Sequence, residues 1–549
     1  MKRCIKYLSL AAIAMVGAMM TGCSNDEIVA GDNNGQQSVS KKHTVTLKTV
    51  ISFDNGGDVT RSIDENGIKT LAVNDQIAVI YKNTNGETMK ALSNALTEND
   101  IADGGKSATF TVTMSDPCAG GAVRYIYPAA MAAETVATDT DVDADATVNY
   151  GALAEQDGTL ATLAAKYDLA IYDGTMTETA TLPSGMMQNK LTICAYTLKN
   201  SDASKELNNT ITGMTMSDGS NTYGINRLAT ADPIYIAIRP TTSATLSFTA
   251  TTGATTYMRS LHDITYTANK KYNIGMKMTE VPGAVSGMFS VGSDTKVIFS
   301  KGNLQATYDG TSWTWAFAEN QWNCIGKATG NTKLTDSAPF ISENATVDLF
   351  SWVGTSSPWT DVNMYGITAA SKNNTNYGAG SDVTLKSDWG TLAISNGGNE
   401  TNSGWRTPTG NSSGEWKYLF EERTTASGIL YASATVNDIK GIILLPDDWR
   451  ESYHTLDDCN KLSSKKNIIT ESIWKSDFEA HGAVFLPAAG YRSGTSVSNA
   501  NIGGYYWSTT ANGSGSTYHL RITSSALQTA STGLSNSYGM SVRLVRTIE

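Results

Sequence analysis

The sequence predicts two regions of different fold class, an all-β region followed by an α+β region. All 11 tryptophans lie at or after Trp313, so the first half of the chain contains none. The first half instead carries many short segments in which apolar and polar residues alternate, as they do in half-buried β-strands. The second half adds two segments with apolar residues at helical spacing to its short strands.

Composition excludes some classes of function. The chain has 549 residues, which is enough for more than one domain with its own core. Only 17% of the residues are charged and 49 are glycine, a composition typical of a loop-rich extracellular β-protein. The formal net charge of −11 argues against a nucleic-acid partner, because a phosphate backbone requires a basic surface.

The first 22 residues are interpreted as a lipoprotein signal peptide. A basic start and an apolar stretch precede Cys23, and the stretch is too short to span a membrane. Met20-Thr21-Gly22-Cys23 resembles a bacterial lipobox, which implies a diacylglycerol on Cys23 that holds the chain to outer-membrane lipids. Residues 23–43 then form a polar tether. An ordinary secretory signal is the alternative.

Residues 44–279 are predicted to form a β-sandwich. The first strand places four apolar side chains on one face: Val45, Leu47, Ile51 and Phe53. Eight segments carry the strand pattern: TVTLKTVISF (44–53), QIAVIYK (76–82), SATFTVTM (107–114), AVRYIYP (122–128), KLTICAYTL (190–198), IYIAIRP (234–240), TLSFTATT (245–252) and YNIGMKM (272–278).

Residues 280–287, EVPGAVSG, are predicted to be a linker, and residues 288–549 are predicted to be α+β. One helix is expected over GEWKYLFEE (414–422), and a second over TESIWKSDFEAHG (470–482). The second helix ends on a glycine, and GAVFLPAAG, which follows at once, begins as a buried strand.

Residues that carry chemistry are sparse. The chain has only 5 histidines, and it lacks the HExxH, G-x-S-x-G and P-loop patterns. The pairs Asp447-Asp448 and Asp457-Asp458 are interpreted as loop or helix-capping carboxylates, because sequence neighbours point to different sides. We therefore expect no enzyme activity, no cofactor and no bound metal.

Four cysteines lie beyond the signal region, two in each half of the chain: Cys118, Cys194, Cys324 and Cys459. None of them has the spacing of a zinc site. Two disulfides, or buried free thiols, are the alternatives.

The order of motifs in the first half resembles the fimbrillin family of Bacteroidales, the lipoprotein-derived pilus subunits. After the lipobox and the first strand comes a loop with Arg61 between Thr60 and Ser62. The later segments that carry the resemblance are LAVNDQIAVIY (71–81), PIYIAIRP (233–240) and YTANKKYNIGMKM (266–278). The resemblance covers about residues 44–279.

This resemblance implies a mechanism of assembly. An outer-membrane protease would cut between Arg61 and Ser62 and remove the strand Thr44–Phe53 with its lipid. The open groove would then accept the C-terminal strand of a stalk subunit by strand addition. Because a second region follows the sandwich, this chain would accept a strand without donating one, which places it at a pilus tip.

Phrases of the second half are similar to C-type-lectin-fold domains of Bacteroidetes and Fibrobacter surface proteins. They include KVIFSKGNLQ (296–305), GWRTPTGNSSGEWKYLF (404–420), GIILLPDDW (441–449), GAVFLPAAGYRSG (482–494), GGYYWSTT (503–510) and YGMSVRLVR (538–546). The fold is related to formylglycine-generating enzymes, but their cysteine pair is not visible here. The tripeptides Glu-Pro-Asn and Gln-Pro-Asp of calcium-dependent lectins do not occur. Five tryptophans are expected in the core: Trp405, Trp416, Trp449, Trp474 and Trp507.

The last part of the chain interleaves Tyr, Ser, Asn, His and Arg with framework residues, a composition typical of adaptable binding surfaces. We expect an exposed ligand face here, and an ordinary polar rim is the alternative. Ten residues are its candidates: Tyr491, Arg492, Ser493, Tyr505, Tyr506, Tyr518, His519, Arg521, Asn536 and Tyr538.

Together these interpretations predict a tip adhesin of a lipoprotein-derived pilus, located at the outer membrane, the cell surface and the fimbrium tip. Its partners would be a stalk subunit and a glycan or protein on a host or bacterial surface. The alternative is a surface lipoprotein that is never cut and binds its target without polymerising.

Overall fold

The structure is a computed structural model. It describes residues 44–53, 70–308, 313–324, 345–350, 352, 388–462, 467–493, 496–512, 516–536 and 538–549. The predicted signal peptide (1–22) and tether (23–43), and with them Cys23, Arg61 and Ser62, lie outside the described residues. Among the residues described, no helix combines the length and the apolar character needed to cross a membrane.

The N-terminal region is built from strands and a few helical turns. Its strands are β1 (Thr44–Phe53), β2 (Ala78–Lys82), β3 (Thr88–Leu92), β4 (Ile101–Ala102), β5 (Ser107–Ser115), β6 (Ala122–Tyr127), β7 (Glu155–Gln156), β8 (Ala170–Thr175), β9 (Gly185–Asn189), β10 (Thr192–Lys199), β11 (Gly213–Ser217), β12 (Thr222–Asn226), β13 (Ile234–Ile238), β14 (Thr241–Thr251), β15 (Thr256–Tyr266), β16 (Lys271–Lys277) and β17 (Thr279–Val281). Its helix α1 (Leu160–Thr162) continues as a π-helical turn, Leu163–Tyr167, and five 3₁₀ turns are Glu98–Asp100, Asp103–Gly105, Ala129–Met131, Asp145–Thr147 and Tyr150–Ala154.

The first eight-stranded sheet has the order β3-β2-β6-β8-β9-β1-β5-β4. The sheet curls back on itself, because Ser93, just after β3, forms an antiparallel bridge with Val112 of β5. Side chains from the inner face of this curled sheet form one core, which includes Ile51, Phe53 and Phe110. The strand β1 therefore lies inside the sheet and contributes to its core.

Two further sheets form a sandwich. The three-stranded sheet β13-β10-β16 and the six-stranded sheet β17-β15-β14-β11-β12-β7 share a second core. Within it the rings of Tyr196 and Phe248, from β10 and β14, meet edge to face at 5.3 Å. All eight predicted segments coincide with strands. The expectation of one sandwich over residues 44–279 is wrong, however, because this part has two cores and the first strand belongs to the curled sheet.

The segment predicted to be a linker is packed against neighbouring residues. Its first residues belong to β17, which pairs with β15, and Val281 and Val285 are buried. The backbones of Gly287 and Gly482 approach so closely that a Cβ at Gly287 would lie 2.1 Å from the carbonyl oxygen of Gly482. Residues 280–287 therefore join the two regions through ordered contacts.

Two hydrogen bonds also connect residues on either side of this segment. The Thr215 hydroxyl donates to Asp448 Oδ2 over 2.8 Å, and the Ser260 N–H donates to the Glu549 carbonyl oxygen over 2.9 Å. Burial raises the pKa of Asp448, and the bond from Thr215 opposes this shift. We retain 44–279 and 288–549 as the proposed limits of the two regions.

The C-terminal region combines short strands with short helices. Its strands are β18 (Phe289–Ser290), β19 (Lys296–Phe299), β20 (Leu304–Tyr308), β21 (Trp313–Phe317), β22 (Ala345–Val347), β23 (Trp405–Arg406), β24 (Tyr431–Val436), β25 (Ile439–Leu444), β26 (Asn467–Ile469), β27 (Val484–Pro487), β28 (Tyr491–Ser493), β29 (Ser496–Ser498), β30 (Gly504–Ala511), β31 (Thr517–Ile522), β32 (Leu527–Ser531) and β33 (Val545–Thr547). The helices α2 (Glu415–Lys417) and α3 (Glu471–Ile473) continue as π-helical turns, Tyr418–Glu422 and Trp474–Phe478, and 3₁₀ turns occupy Trp389–Thr391 and Glu479–His481.

Both predicted helices are confirmed. The second begins at Thr470, whose hydroxyl accepts the N–H of Ile473, and ends at Gly482 in the left-handed conformation, with φ 75°. His481 Nδ1 lies 2.9 Å from the Asp477 carbonyl oxygen, as expected for a partner at a helix end. The following residues, Ala483–Leu486, are fully buried, as predicted.

The described residues of the C-terminal region form five sheets, with the orders β18-β19-β33-β23, β21-β20-β22, β26-β24-β25-β27, β28-β29 and β30-β31-β32. Its last strand, β33, lies between β19, the second strand of the region, and β23. The five tryptophans predicted for the core are buried. The structure thus has α+β character here, while a lectin-type fold stays a prediction.

The interpretation of Asp447 as a solvated carboxylate is wrong. It is buried and accepts hydrogen bonds from Lys296 Nζ at 2.9 Å and Arg423 Nη1 at 3.0 Å. Burial alone would raise the pKa of Asp447, but the two cations outweigh burial and hold the pKa below its usual value. The partners lie far away in sequence, so the pattern of adjacent carboxylates gave no signal of them.

Cys118, Cys194 and Cys459 are free thiols in the described structure. Cys194 is fully buried in the sandwich core, and burial raises the pKa of its thiol to about 12. The second alternative of the sequence analysis, buried free thiols, therefore holds for Cys194, whereas Cys118, Cys324 and Cys459 are partly exposed.

Candidate functional site

The first candidate site is the strand β1 and the groove that it occupies. On one side β1 pairs with β5 along nearly its whole length, from Thr44 opposite Ser115 to Ser52 opposite Ser107. On the other side it pairs with β9 in parallel over only three positions, Ile51 to Phe53. The strand is therefore paired along nearly the whole of one edge but along only a short part of the other.

The two faces of β1 differ as the sequence predicts. Ile51 and Phe53 are buried and Val45 and Leu47 are partly buried against the same core, whereas Val50 on the other face is 45% exposed. Burying an aliphatic or aromatic side chain of this size stabilises by about 1.5–3 kcal/mol. A chain without β1 would expose the apolar partners of these side chains, among them Phe110 and Met187.

A polar contact fixes the middle of β1. The buried Thr49 hydroxyl donates to the carbonyl oxygen of Pro183 over 2.6 Å, and the Tyr125 hydroxyl donates to the same oxygen over 2.8 Å. Sequence reasoning missed Thr49, because an isolated threonine on an apolar face carries no signal of a partner 134 residues away. The pairing of β1 with β9 does not extend to Thr49, and this hydrogen bond holds the strand there instead.

The second candidate site is the predicted ligand face, and its residues lie on two different faces of a sheet. In the β30-β31 pair, Tyr505 lies opposite Arg521 and Trp507 opposite His519, so these four share one face. Tyr506, between Tyr505 and Trp507, must point to the other face, because side chains alternate along a strand.

Five of the ten candidates are buried, so the expectation that they form an exposed face is wrong for them. They are Arg492, Tyr505, Tyr506, His519 and Asn536. The Tyr506 hydroxyl donates to the Pro487 carbonyl oxygen over 2.7 Å, which places it in the core. The backbone of Arg492 is bonded in both directions to Gly539, with N···O distances of 2.8 and 2.9 Å.

His519 illustrates the effect of this burial. Its ring lies 6.2 Å from that of Trp507 and 6.4 Å from that of Tyr505. Burial, with a smaller contribution from the nearby Arg521, lowers the pKa of His519 to about 4. The imidazole is therefore neutral at physiological pH and acts as a core side chain rather than as an exposed contact.

Four of the candidates remain partly exposed: Tyr491, Tyr518, Arg521 and Tyr538. The ring of Tyr491 contacts that of Tyr505 at 4.9 Å and that of Tyr538 at 5.5 Å. Arg521 donates to Gln528 Oε1 over 3.0 Å. Ser493 belongs to β28, and its side chain lies outside the described residues. We call Tyr491, Arg521 and Tyr538 the tyrosine–arginine surface.

The described residues contain no cluster of three or more His, Cys, Asp or Glu side chains that would bind a metal ion.

Comparison with known proteins gives limited matches. The family described as "Domain of unknown function (DUF8237)" matches residues 453–545, which include all ten ligand-face candidates. No curated protein matches the chain. A fimbrial assembly protein from Parabacteroides distasonis is 12% identical, with 47% of this chain and 96% of that chain covered and a TM-score of 0.25. A fimbrial protein from Bacteroides ovatus is 12% identical, with 92% and 99% covered and a TM-score of 0.24.

Proposed function

We propose that this chain is an adhesive tip subunit of a lipoprotein-derived pilus, assembled by removal and replacement of its first strand. One observation carries the proposal. The strand β1 supplies core side chains to the curled sheet, yet residues 54–69 with Arg61 separate it from the next described residues. A single cut there leaves β1 attached to the sheet by non-covalent contacts alone.

The groove left by β1 would suit an incoming strand. Nine positions of β5 would lose their partners, and their unpaired N–H and C=O groups favour the addition of another strand. The replacement strand would need apolar residues at alternate positions, to fill the places of Ile51 and Phe53. A stalk subunit would supply it.

The proposed tip position rests on β33. This strand is paired on both sides, with β19 and with β23, and cannot leave without opening the sheet. In the proposed arrangement β33 therefore stays in its own sheet and is not donated to another subunit. Target binding is assigned to the tyrosine–arginine surface, because partly exposed tyrosines offer rigid contact area and Arg521 offers hydrogen-bond donors. The target is a glycan or protein of another cell surface.

The test is N-terminal sequencing of the chain recovered from sheared surface fibres and from the outer membrane. We expect a start at Ser62 in the fibre fraction. The variant Arg61→Ala should block this cut and keep the chain out of the fibres. Lys69→Ala is the matched control, since Lys69 is the other basic residue of 54–69, and it should be processed normally.

The alternative is an uncut surface lipoprotein that binds a target through the same surface. It predicts a lipidated Cys23 start in every fraction and no chain in the fibres. That result would reject the pilus assignment and leave the binding function of the C-terminal region to be tested separately.

A further inference from the structure

A groove of about 290 Å³ lies on the C-terminal region, away from the tyrosine–arginine surface. One wall is the sheet β26-β24-β25-β27, and the other is formed by residues around the ends of β30 and β31. None of the ten ligand-face candidates lines it. The groove therefore requires its own explanation.

Two isoleucines make the rim of this groove apolar. Ile468 is 77% exposed and Ile502 is 63% exposed. Among the described residues only seven large apolar side chains are exposed, and two of them line this groove. Below them Ile442, Leu486 and Ile522 are buried and form an apolar floor that continues into the core. Exposed apolar side chains above an apolar floor favour the binding of an apolar group in this groove.

Both polar atoms of the Asn467 amide and the oxygen of the Asn501 amide are already used within the protein. Asn467 donates from Nδ2 to the Ser433 and Asp457 carbonyl oxygens, both at 2.9 Å, and its Oδ1 accepts the Asp457 N–H at 2.9 Å. Asn501 Oδ1 accepts the N–H of Lys440 over 2.8 Å. A sugar needs several free amide or carboxylate partners, so this lining disfavours one.

One charge lies at the groove. Of the described residues that line it, Lys440 is the one ionisable side chain, and it is exposed. An apolar floor and rim beside a single ammonium group match a ligand with an alkyl chain and one negative charge. We propose that this groove binds an aliphatic carboxylate, with the chain between Ile468 and Ile502 and the carboxylate at Lys440.

This binding site does not depend on the pilus assignment. A cut after Arg61 or its absence leaves every residue of the groove unchanged, since all lie at or after Ser433. The test uses the full chain and a fluorescent carboxylate, dansyl-aminoundecanoic acid, which is displaced by octanoate, by octanol or by octylamine.

We expect octanoate to displace the probe better than octanol or octylamine. Affinity should rise about fourfold for each methylene between butanoate and octanoate, the gain expected from burying a CH₂ group. The double variant Ile468→Asn and Ile502→Asn should weaken the affinity for octanoate by about tenfold or more. Each asparagine makes less apolar contact with the alkyl chain than the isoleucine that it replaces. Lys440→Gln should remove the preference for octanoate over octanol. Because these side chains are exposed, the variants should fold.

Leu228→Asn is the matched control, because Leu228 is also exposed, at 88%, but lies in the N-terminal region. It should bind as the unaltered chain does. Equal displacement by octanol and octanoate, or an unchanged affinity in the double isoleucine variant, would overturn the proposal. So would a dimer that the double variant converts to a monomer, since the groove would then be covered by a second copy.

Discussion

The two regions of the molecule differ in how the strands that complete their cores are connected to the rest of the chain. The N-terminal region takes a core strand, β1, from a segment that residues 54–69 separate from β2 and the rest of the sheet. The C-terminal region pairs its last strand, β33, with β19, which lies near the start of the same region. A cut between β1 and β2 would therefore leave a core strand of the first region held by non-covalent contacts alone, whereas β33 is paired on both edges and stays joined to its region.

The difference extends to what fills each core. In the curled sheet, aliphatic and tyrosine side chains surround β1, and no tryptophan is present. The C-terminal region is filled by large indoles and by the buried carboxylate of Asp447 between two cations. A core that is filled mainly by alternating apolar side chains can accept another strand with the same pattern. A core fixed by a specific ion network cannot exchange a part so easily.

The largest expected effect tests the fixed core. Asp447→Asn leaves Lys296 and Arg423 buried without a counter-charge, which should reduce the free energy of unfolding by about 3–5 kcal/mol. Urea unfolding followed by tryptophan fluorescence reports on this region, since all 11 tryptophans lie in it. Asp438→Asn, at an exposed turn, is the control and should change little. A loss below about 1 kcal/mol would show that the network does not hold the region together.

A somewhat smaller effect tests the exchangeable core. Ile51→Ala removes a buried side chain from β1 and should lower the free energy of unfolding by about 2–4 kcal/mol. Val50→Ala, one position away on the exposed face, should stay within about 0.5 kcal/mol. Calorimetry is the suitable measurement, because the N-terminal region has no tryptophan. Equal effects at the two positions would contradict the assigned faces of β1.

The smallest effect concerns His519 and pH. Its folded pKa of about 4 lies below the usual value of 6.5, so the unfolded chain binds the proton more readily. The contribution of neutral His519 to the free energy of unfolding is complete above the unfolded pKa. It is lost as pH falls through 6.5 toward 4. Between pH 8 and pH 5 the loss should be about 2 kcal/mol.

His519→Gln should remove this part of the pH dependence, measured as urea midpoints at both pH values. His262→Gln, at an exposed position, is the matched control and should keep the slope of the unaltered chain. If His519→Gln leaves the pH dependence of the urea midpoint unchanged, the histidine is exposed to solvent. His519 would then again be a candidate for the ligand face.

Much of the fold could be predicted from sequence because its signals are local. Alternation identified β1 and its inner face, and the apolar spacing with Gly482 identified the helix and the point where it ends. The division of the first region into a curled sheet and a sandwich could not be predicted. It depends on which strands pair, such as β1 with β9, and these partners are more than 130 residues apart.

The predicted ligand face failed for a different reason. The prediction assigned residues to one face by their type alone, although neighbouring positions of a strand point to opposite sides. The alternation that succeeded for β1 would have separated Tyr505 from Tyr506 if it had been applied to β30. The burial of Arg492 and Asn536 depends on distant segments and had no local signal.

The packed connection at residues 280–287 has a mechanical consequence for an adhesin. A flexible linker would let the binding region swivel, and a pull on its target would load the covalent chain alone. Here β17 is bonded to β15, and the Thr215–Asp448 and Ser260–Glu549 hydrogen bonds run alongside it. Under the proposed function, torque and tension would be shared among these contacts, so the tyrosine–arginine surface would follow each rotation of the N-terminal region.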